Sequence, residues 1–186
     1  MEEKTNRIRT KACNFREIKK QIRKAQKIKT GTSNSKINAI LTCVPNFIGC
    51  FAEDQVSKII FNSFPSFLIV NIDSSSMQGS HWIAIGIFQN RIEIFDPLGF
   101  KFLNWSRVPC HLLTLLHRLS QYRRVFISRR IQSDQSVLCA FYSIYYCINR
   151  SRVSFSKICR PFKNLKDNDK LYYFLKLTFV SISDEL

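Results

Sequence analysis

The chain has 186 residues, 45% of them hydrophobic and 13% aromatic, with sixteen Phe. That is enough apolar material for one packed domain and too short a chain for two, and the aromatic content excludes general disorder. The 29 Lys and Arg against 13 Asp and Glu give a net charge of +16, a field that draws polyanions such as nucleic acid or acidic surfaces but names no chemistry. No window approaches the ~18 uninterrupted apolar residues of a membrane span, and the opening MEEKTNRIRTKAC lacks the apolar stretch of a secretory signal. A soluble, intracellular chain without a membrane partner is expected.

In chain order, residues 1–36 carry twelve Lys and Arg against three Glu and read as a basic N-terminal extension. Within it, NFREIKKQIRKAQKIK (14–29) sets Phe15, Ile18, Ile22 and Ala25 on one stripe, the pattern of a basic amphipathic helix. Lys19, Lys20, Arg23 and Lys24 are its densest cluster and the first candidates for nucleic-acid binding, with a solvated tail or a nuclear-import signal as the plainer reading. TGTSNS (30–35) reads as a linker, leaving 37–186 as the folded domain.

FLIVNID (67–73) and HWIAIGIF (81–88) have the composition of strands. RIEIFD (91–96) follows after only Gln89-Asn90, which predicts an antiparallel hairpin. HLLTLLHRLSQY (111–122) has leucines at helical spacing, RRVFIS (123–128) reads as another strand, and CAFYSIYYCIN (139–149) is apolar nearly all round, as expected of a helix buried on most sides. LYYFLKLTF (171–179) fits a closing helix or a strand equally. Strands in the middle with helices before and after predict an α+β fold with a central mixed or antiparallel sheet packed by helices.

Seven cysteines, at 13, 43, 50, 110, 139, 147 and 159, cannot all pair, and without a CxxC spacing no zinc site is expected. Three histidines limit the choice of a general base. His111 and His117, six apart on a leucine-rich helix, fall on different faces and read as structural or surface residues. His81 opens a strand after the turn-forming DSSSMQGS, where a side chain can face a cleft, although a satisfied strand-edge histidine fits as well. A hairpin register that faces His81 with Asp96 puts the carboxylate within reach of the imidazole, where it can select the tautomer and stabilise the imidazolium. Cys139 begins the most apolar helix, where the positive end of the helix dipole favours thiolate; an inert buried cysteine is its plainer reading. Ahead of it, IQSDQSVL (131–138) carries Gln132 and Gln135, either of whose amides can join the Cys139 N–H in an oxyanion hole.

GSHWIAIGIF, then IEIFDPLGF, then a Gln seven positions before a Cys that starts an apolar helix, resembles the adenain family of adenovirus-type maturation cysteine proteases, with its relatives in adintoviruses and Maverick/Polinton elements. PNFIGCFAEDQ (45–55) is similar to the segment by which many of these relatives begin. The resemblance covers about residues 40–150, and NLKDNDKLYYFL (164–175) is compatible with the family's closing helix. It implies the papain-like site in permuted order of the adenain and SUMO-protease clan, with His81 as base, Asp96 as the acidic third member, Gln132 as oxyanion-hole donor and Cys139 as nucleophile. Trp82 would pack beside the imidazole. The chain departs from the family at Ala140 and Ser133, where glycine is usual, so Gln135 stays a rival to Gln132.

The resemblance further implies an endopeptidase that cleaves viral capsid and core precursor proteins in the virion and host nucleus, with the host cytoplasm as another setting. It needs no cofactor, and DNA is an expected partner and activator. An activating peptide would bind without a disulfide, because QYRRVFISRR, which matches the family's linkage region, has no cysteine. Two other classes share parts of these features: a ubiquitin- or SUMO-like-modifier protease of the same clan, and a non-enzymatic basic DNA-binding virion protein.

Overall fold

A hydroxyl cap opens the described chain. Ser33, in extended backbone, accepts the Lys36 N–H at 3.4 Å, and helix α1 (Asn34–Leu41) follows, burying Ile37 and Leu41. The structure is a computed structural model that describes residues 32–42, 44–99, 108–126, 130–133, 136–150 and 152–163. After α1 come β1 (Phe47–Ala52), the single-turn helix α2 (Glu53–Val56), β2 (Ser66–Asn71), β3 (Trp82–Phe88) and β4 (Arg91–Phe95). Then follow α3 (Cys110–Arg118), β5 (Arg123–Phe126), α4 (Cys139–Arg150) and α5 (Phe155–Cys159), which runs on into a 3₁₀ turn at Arg160–Lys163.

The strands form one five-stranded sheet in the order β1-β2-β3-β4-β5. The outer pairs β1–β2 and β4–β5 are parallel and the inner pairs antiparallel, so the α+β reading stands with a mixed sheet. Helices cover both faces, which explains why every residue of β2 is buried and why its centre, FLIV (67–70), is an unbroken apolar run. On one face Phe67, Ile69, Trp82, Ala84 and Phe95 pack against α1, α4 and α5. On the other, Leu68, Val70, Ile83, Ile85, Ile92 and Ile94 meet Leu112, Leu115, Leu116 and Leu119, from α3 and its C-terminal end.

Helix α4 is buried from Cys139 through Ile148, and again at Arg150. Its far end is locked by Glu93 of β4, which is 1% exposed. Arg150 donates from Nε to Oε2 at 2.6 Å and from Nη2 to Oε1 at 2.8 Å, while Tyr146 Oη and Arg91 Nε add bonds at 2.9 Å each. Gly86 lies opposite Glu93 in the β3–β4 ladder, and a Cβ there would collide with the Tyr146 hydroxyl. The missing side chain is what lets the tyrosine reach the carboxylate.

Several expectations need correction. Residues 33–35, read as linker, cap and open α1 instead, because Ser and Asn satisfy a helix N-terminus as readily as they fill a loop. The helix expected at 111–122 begins at Cys110 and ends at Arg118. β1, for which no strand was expected, forms by parallel pairing with β2, its register shifting between Phe47 and Gly49. The hairpin register is two residues away from the one that faces His81 with Asp96. The ladder pairs Phe88 with Arg91 and Ala84 with Phe95, because Gln89-Asn90 alone make the turn, and it stops there. The segments 14–29 and 171–179 lie outside the described residues. Among the described residues, no helix is long and apolar enough to cross a membrane.

Candidate active site

The end of the β3–β4 ladder is where the titratable residues gather. His81 precedes β3 by one residue and Asp96 follows β4 by one, so the two side chains meet diagonally past the last paired residues rather than straight across, a span that long side chains bridge readily. His81 Nε2 lies 2.7 Å from Asp96 Oδ1, with both residues buried. The His81 carbonyl accepts the Ile72 N–H at 3.0 Å, extending the β2–β3 ladder by one bond and fixing the backbone that carries the ring.

Asp96 is oriented by the turn that it starts. In Asp96-Pro97-Leu98-Gly99, the Leu98 N–H donates to Asp96 Oδ1 at 2.9 Å and the Gly99 N–H to the Asp96 carbonyl at 2.9 Å. Proline supplies the fixed φ of the second position, and Gly99 takes the left-handed conformation, φ 65°, that closes the turn. Asp96 Oδ2 is buried and takes no hydrogen bond among the described residues, so the carboxylate's partners converge on the oxygen that faces His81.

Cys139 is the first residue of α4 and is buried. Ser136 Oγ accepts the Leu138 N–H at 3.3 Å, and the Leu138 carbonyl takes the N–H groups of Phe141 and Tyr142, which starts the helix at the cysteine. The Cys139 thiol is hydrogen-bonded to the His81 ring. Burial disfavours the imidazolium, but hydrogen bonds from Asp96 and Cys139, reinforced by their charge, raise His81 from 6.5 to about 9.

This shift has a stability consequence. The folded state holds the His81 proton more tightly than the unfolded chain does, so the contribution is complete below about pH 6.5 and disappears as the pH rises through about 9. Stability to denaturant should therefore fall as the pH rises across that window, and His81→Gln should flatten the profile.

Gln132 is also buried and is tied to the same turn. The N–H groups of Ile131 and Gln132 both donate to the Pro97 carbonyl, at 3.0 and 2.9 Å, and Gln132 Nε2 donates to the Ser136 carbonyl at 2.7 Å. Its Oε1 is buried without a hydrogen bond among the described residues. Trp82 turns its Nε1 to Asn34 Oδ1 at 3.0 Å and so binds the start of α1 to the strand behind His81. His81, Asp96 and Cys139 are therefore brought into direct contact, and Gln132 is anchored to the backbone beside Asp96. Gln135, Lys19, Lys20, Arg23 and Lys24 lie outside the described residues. The backbone acceptor at Pro97 and the anchor at Ser136 were not anticipated; main-chain contacts across the fold leave no signal in residue spacing.

No protein-family model matches the chain, nor does any curated protein. Among solved structures it is similar to AvrA delL154 with IP6 and CoA, at 12% sequence identity over 95% of this chain and 82% of that one, with a TM-score of 0.42.

Proposed function

We propose that the chain is a cysteine endopeptidase of the adenain and SUMO-protease clan, with Cys139 as nucleophile, His81 as acid and base, and Asp96 as the group that orients the ring. The observation that carries this reading is one buried imidazole held both by a carboxylate and by a helix-terminal thiol. Proton transfer from thiol to imidazole gives a thiolate–imidazolium pair, and the sulfur attacks the scissile carbonyl. As the first residue of α4, Cys139 carries one of the N–H groups that an α-helix leaves without an intrahelical partner, and that N–H is the first oxyanion donor. The Gln132 amide nitrogen has two hydrogens; Ser136 takes one and the second serves as the other donor. Imidazolium then protonates the leaving amine, leaving a thioester that His81-activated water hydrolyses. Cleavage should rise as the pair forms and fall near pH 9, as His81 loses its proton.

The finer reading is a maturation protease that acts on capsid and core precursors in a DNA-containing particle. The His81-Trp82 pair and the DPLGF block support it, together with +16 of charge that associates with packaged DNA in a salt-dependent way. Comparing cleavage of a capsid precursor with that of a ubiquitin-like-modifier fusion, with and without DNA, separates it from a modifier protease. The chemistry itself is tested by limited alkylation with iodoacetamide and peptide mapping. Cys139 should be modified ahead of the other six cysteines, and His81→Ala should remove that preference. Indiscriminate labelling that His81→Ala leaves unchanged overturns the assignment.

A further inference from the structure

On the face of the sheet covered by α2 and α3, three side chains converge that the proposed protease chemistry does not use. Glu53, at the start of α2, is 7% exposed, and its Oε1 collects three donors from α3: the His111 N–H at 2.6 Å, His111 Nδ1 at 3.0 Å and Cys110 Sγ at 3.6 Å. Cys110 Sγ and His111 Nδ1 are themselves 3.4 Å apart. A carboxylate oxygen, a thiol sulfur and an imidazole nitrogen thus form a triangle with edges of 3.0, 3.4 and 3.6 Å. With metal–sulfur bonds of about 2.3 Å and metal–nitrogen or metal–oxygen bonds of about 2.0–2.2 Å, one face of a tetrahedral zinc centre has edges of roughly 3.3–3.6 Å.

We propose that Glu53, Cys110 and His111 form a binding site for a thiophilic divalent cation of the zinc class, with water at the fourth corner. The cysteine spacing gave no hint of it, because the ligands are a neighbouring pair and a carboxylate 57 residues away. On binding, Cys110 releases its thiol proton to solvent and the imidazole moves its proton to Nε2, freeing Nδ1. Thiolate and carboxylate together neutralise the dication, which suits a site where the carboxylate is nearly buried. Glu53 alone is not an exposed acidic group that happens to lie near others; its burial and its three donors from one helix set the geometry before any ion arrives.

The site would act as a staple. The Glu53 N–H donates to the Asp73 carbonyl at 3.1 Å, and Asp54 accepts the Ser75 N–H at 2.8 Å and the Ser75 hydroxyl at 2.6 Å. α2 therefore supports the start of the turn that leads into His81, and a metal joining α2 to α3 would hold that support in place.

Co²⁺ is the probe, titrated into the full chain carrying Cys139→Ala so that the thiol beside His81 cannot compete. One equivalent should give thiolate-to-cobalt charge transfer and the intense visible bands of tetrahedral Co²⁺, and Zn²⁺ should displace them and raise the melting temperature. Cys110→Ala should remove the charge-transfer band and the Zn²⁺-dependent rise in melting temperature. Cys110 is exposed, so that variant keeps its fold, as the metal-free melting temperature will verify. His111→Ala should remove the tetrahedral bands. Absence of a tetrahedral thiolate spectrum at saturating Co²⁺, or a spectrum that survives Cys110→Ala, overturns the proposal. Neither result bears on whether Cys139 is a nucleophile.

Discussion

Cys139→Ala is expected to reduce peptide cleavage to the uncatalysed background, a fall on the order of 10⁵-fold or more in kcat, because residues of a nucleophile–base unit act together and losing the attacking atom removes the whole covalent path. The change deletes one sulfur at the start of α4 and leaves the Leu138 carbonyl and Ser136 hydroxyl that begin the helix, so the melting temperature should move little. Cleavage at the wild-type rate would refute the assignment. Asp96→Asn should be milder and different in kind. It removes the charge that helps to hold the His81 proton, so the alkaline limb of the rate profile should move below pH 9 even where activity survives.

The largest loss of stability is expected from Arg150→Met. Glu93 is buried in the middle of β4, and Arg150 supplies two of its hydrogen bonds, at 2.6 and 2.8 Å. Removing that partner leaves a carboxylate whose remaining donors are Tyr146 and Arg91, and breaking such a buried pair costs about 3–5 kcal/mol. For a chain of this size that lowers the melting temperature by roughly 10 °C. Adding Glu93→Gln to Arg150→Met should recover part of the loss, since the stranded charge is then gone; a double variant less stable than either single one would contradict this account. Because Cys139 and Arg150 are about 16 Å apart along α4, activity per folded molecule should be nearly unchanged by the substitution.

What the sequence disclosed followed from local patterns. β2, β3, β4 and α4 were legible because each is a run whose composition and period match its environment, from the buried FLIV of β2 to the all-round apolar α4. β1 was not. FIGCFA contains a glycine at φ 146° and few β-branched residues, and its strand character comes from pairing with β2 twenty positions away. His81, Asp96 and Cys139 could be named from a turn, a strand start and a helix start, but the register that joins the first two was misjudged by two residues. That error was harmless only because both side chains sit beyond the ladder's end. Glu53 could not have been linked to Cys110 and His111, since only tertiary packing brings α2 against α3.

The Pro97 carbonyl, which receives two backbone N–H groups from the 131–132 segment, welds the carboxylate's turn to the amide donor's loop. Any displacement of one is transmitted to the other, so the carboxylate that holds His81 and the proposed oxyanion donor cannot drift apart independently. Since the acceptor belongs to the main chain, no side-chain replacement at 97 deletes it, and this alignment can outlast extensive change in the surrounding residues.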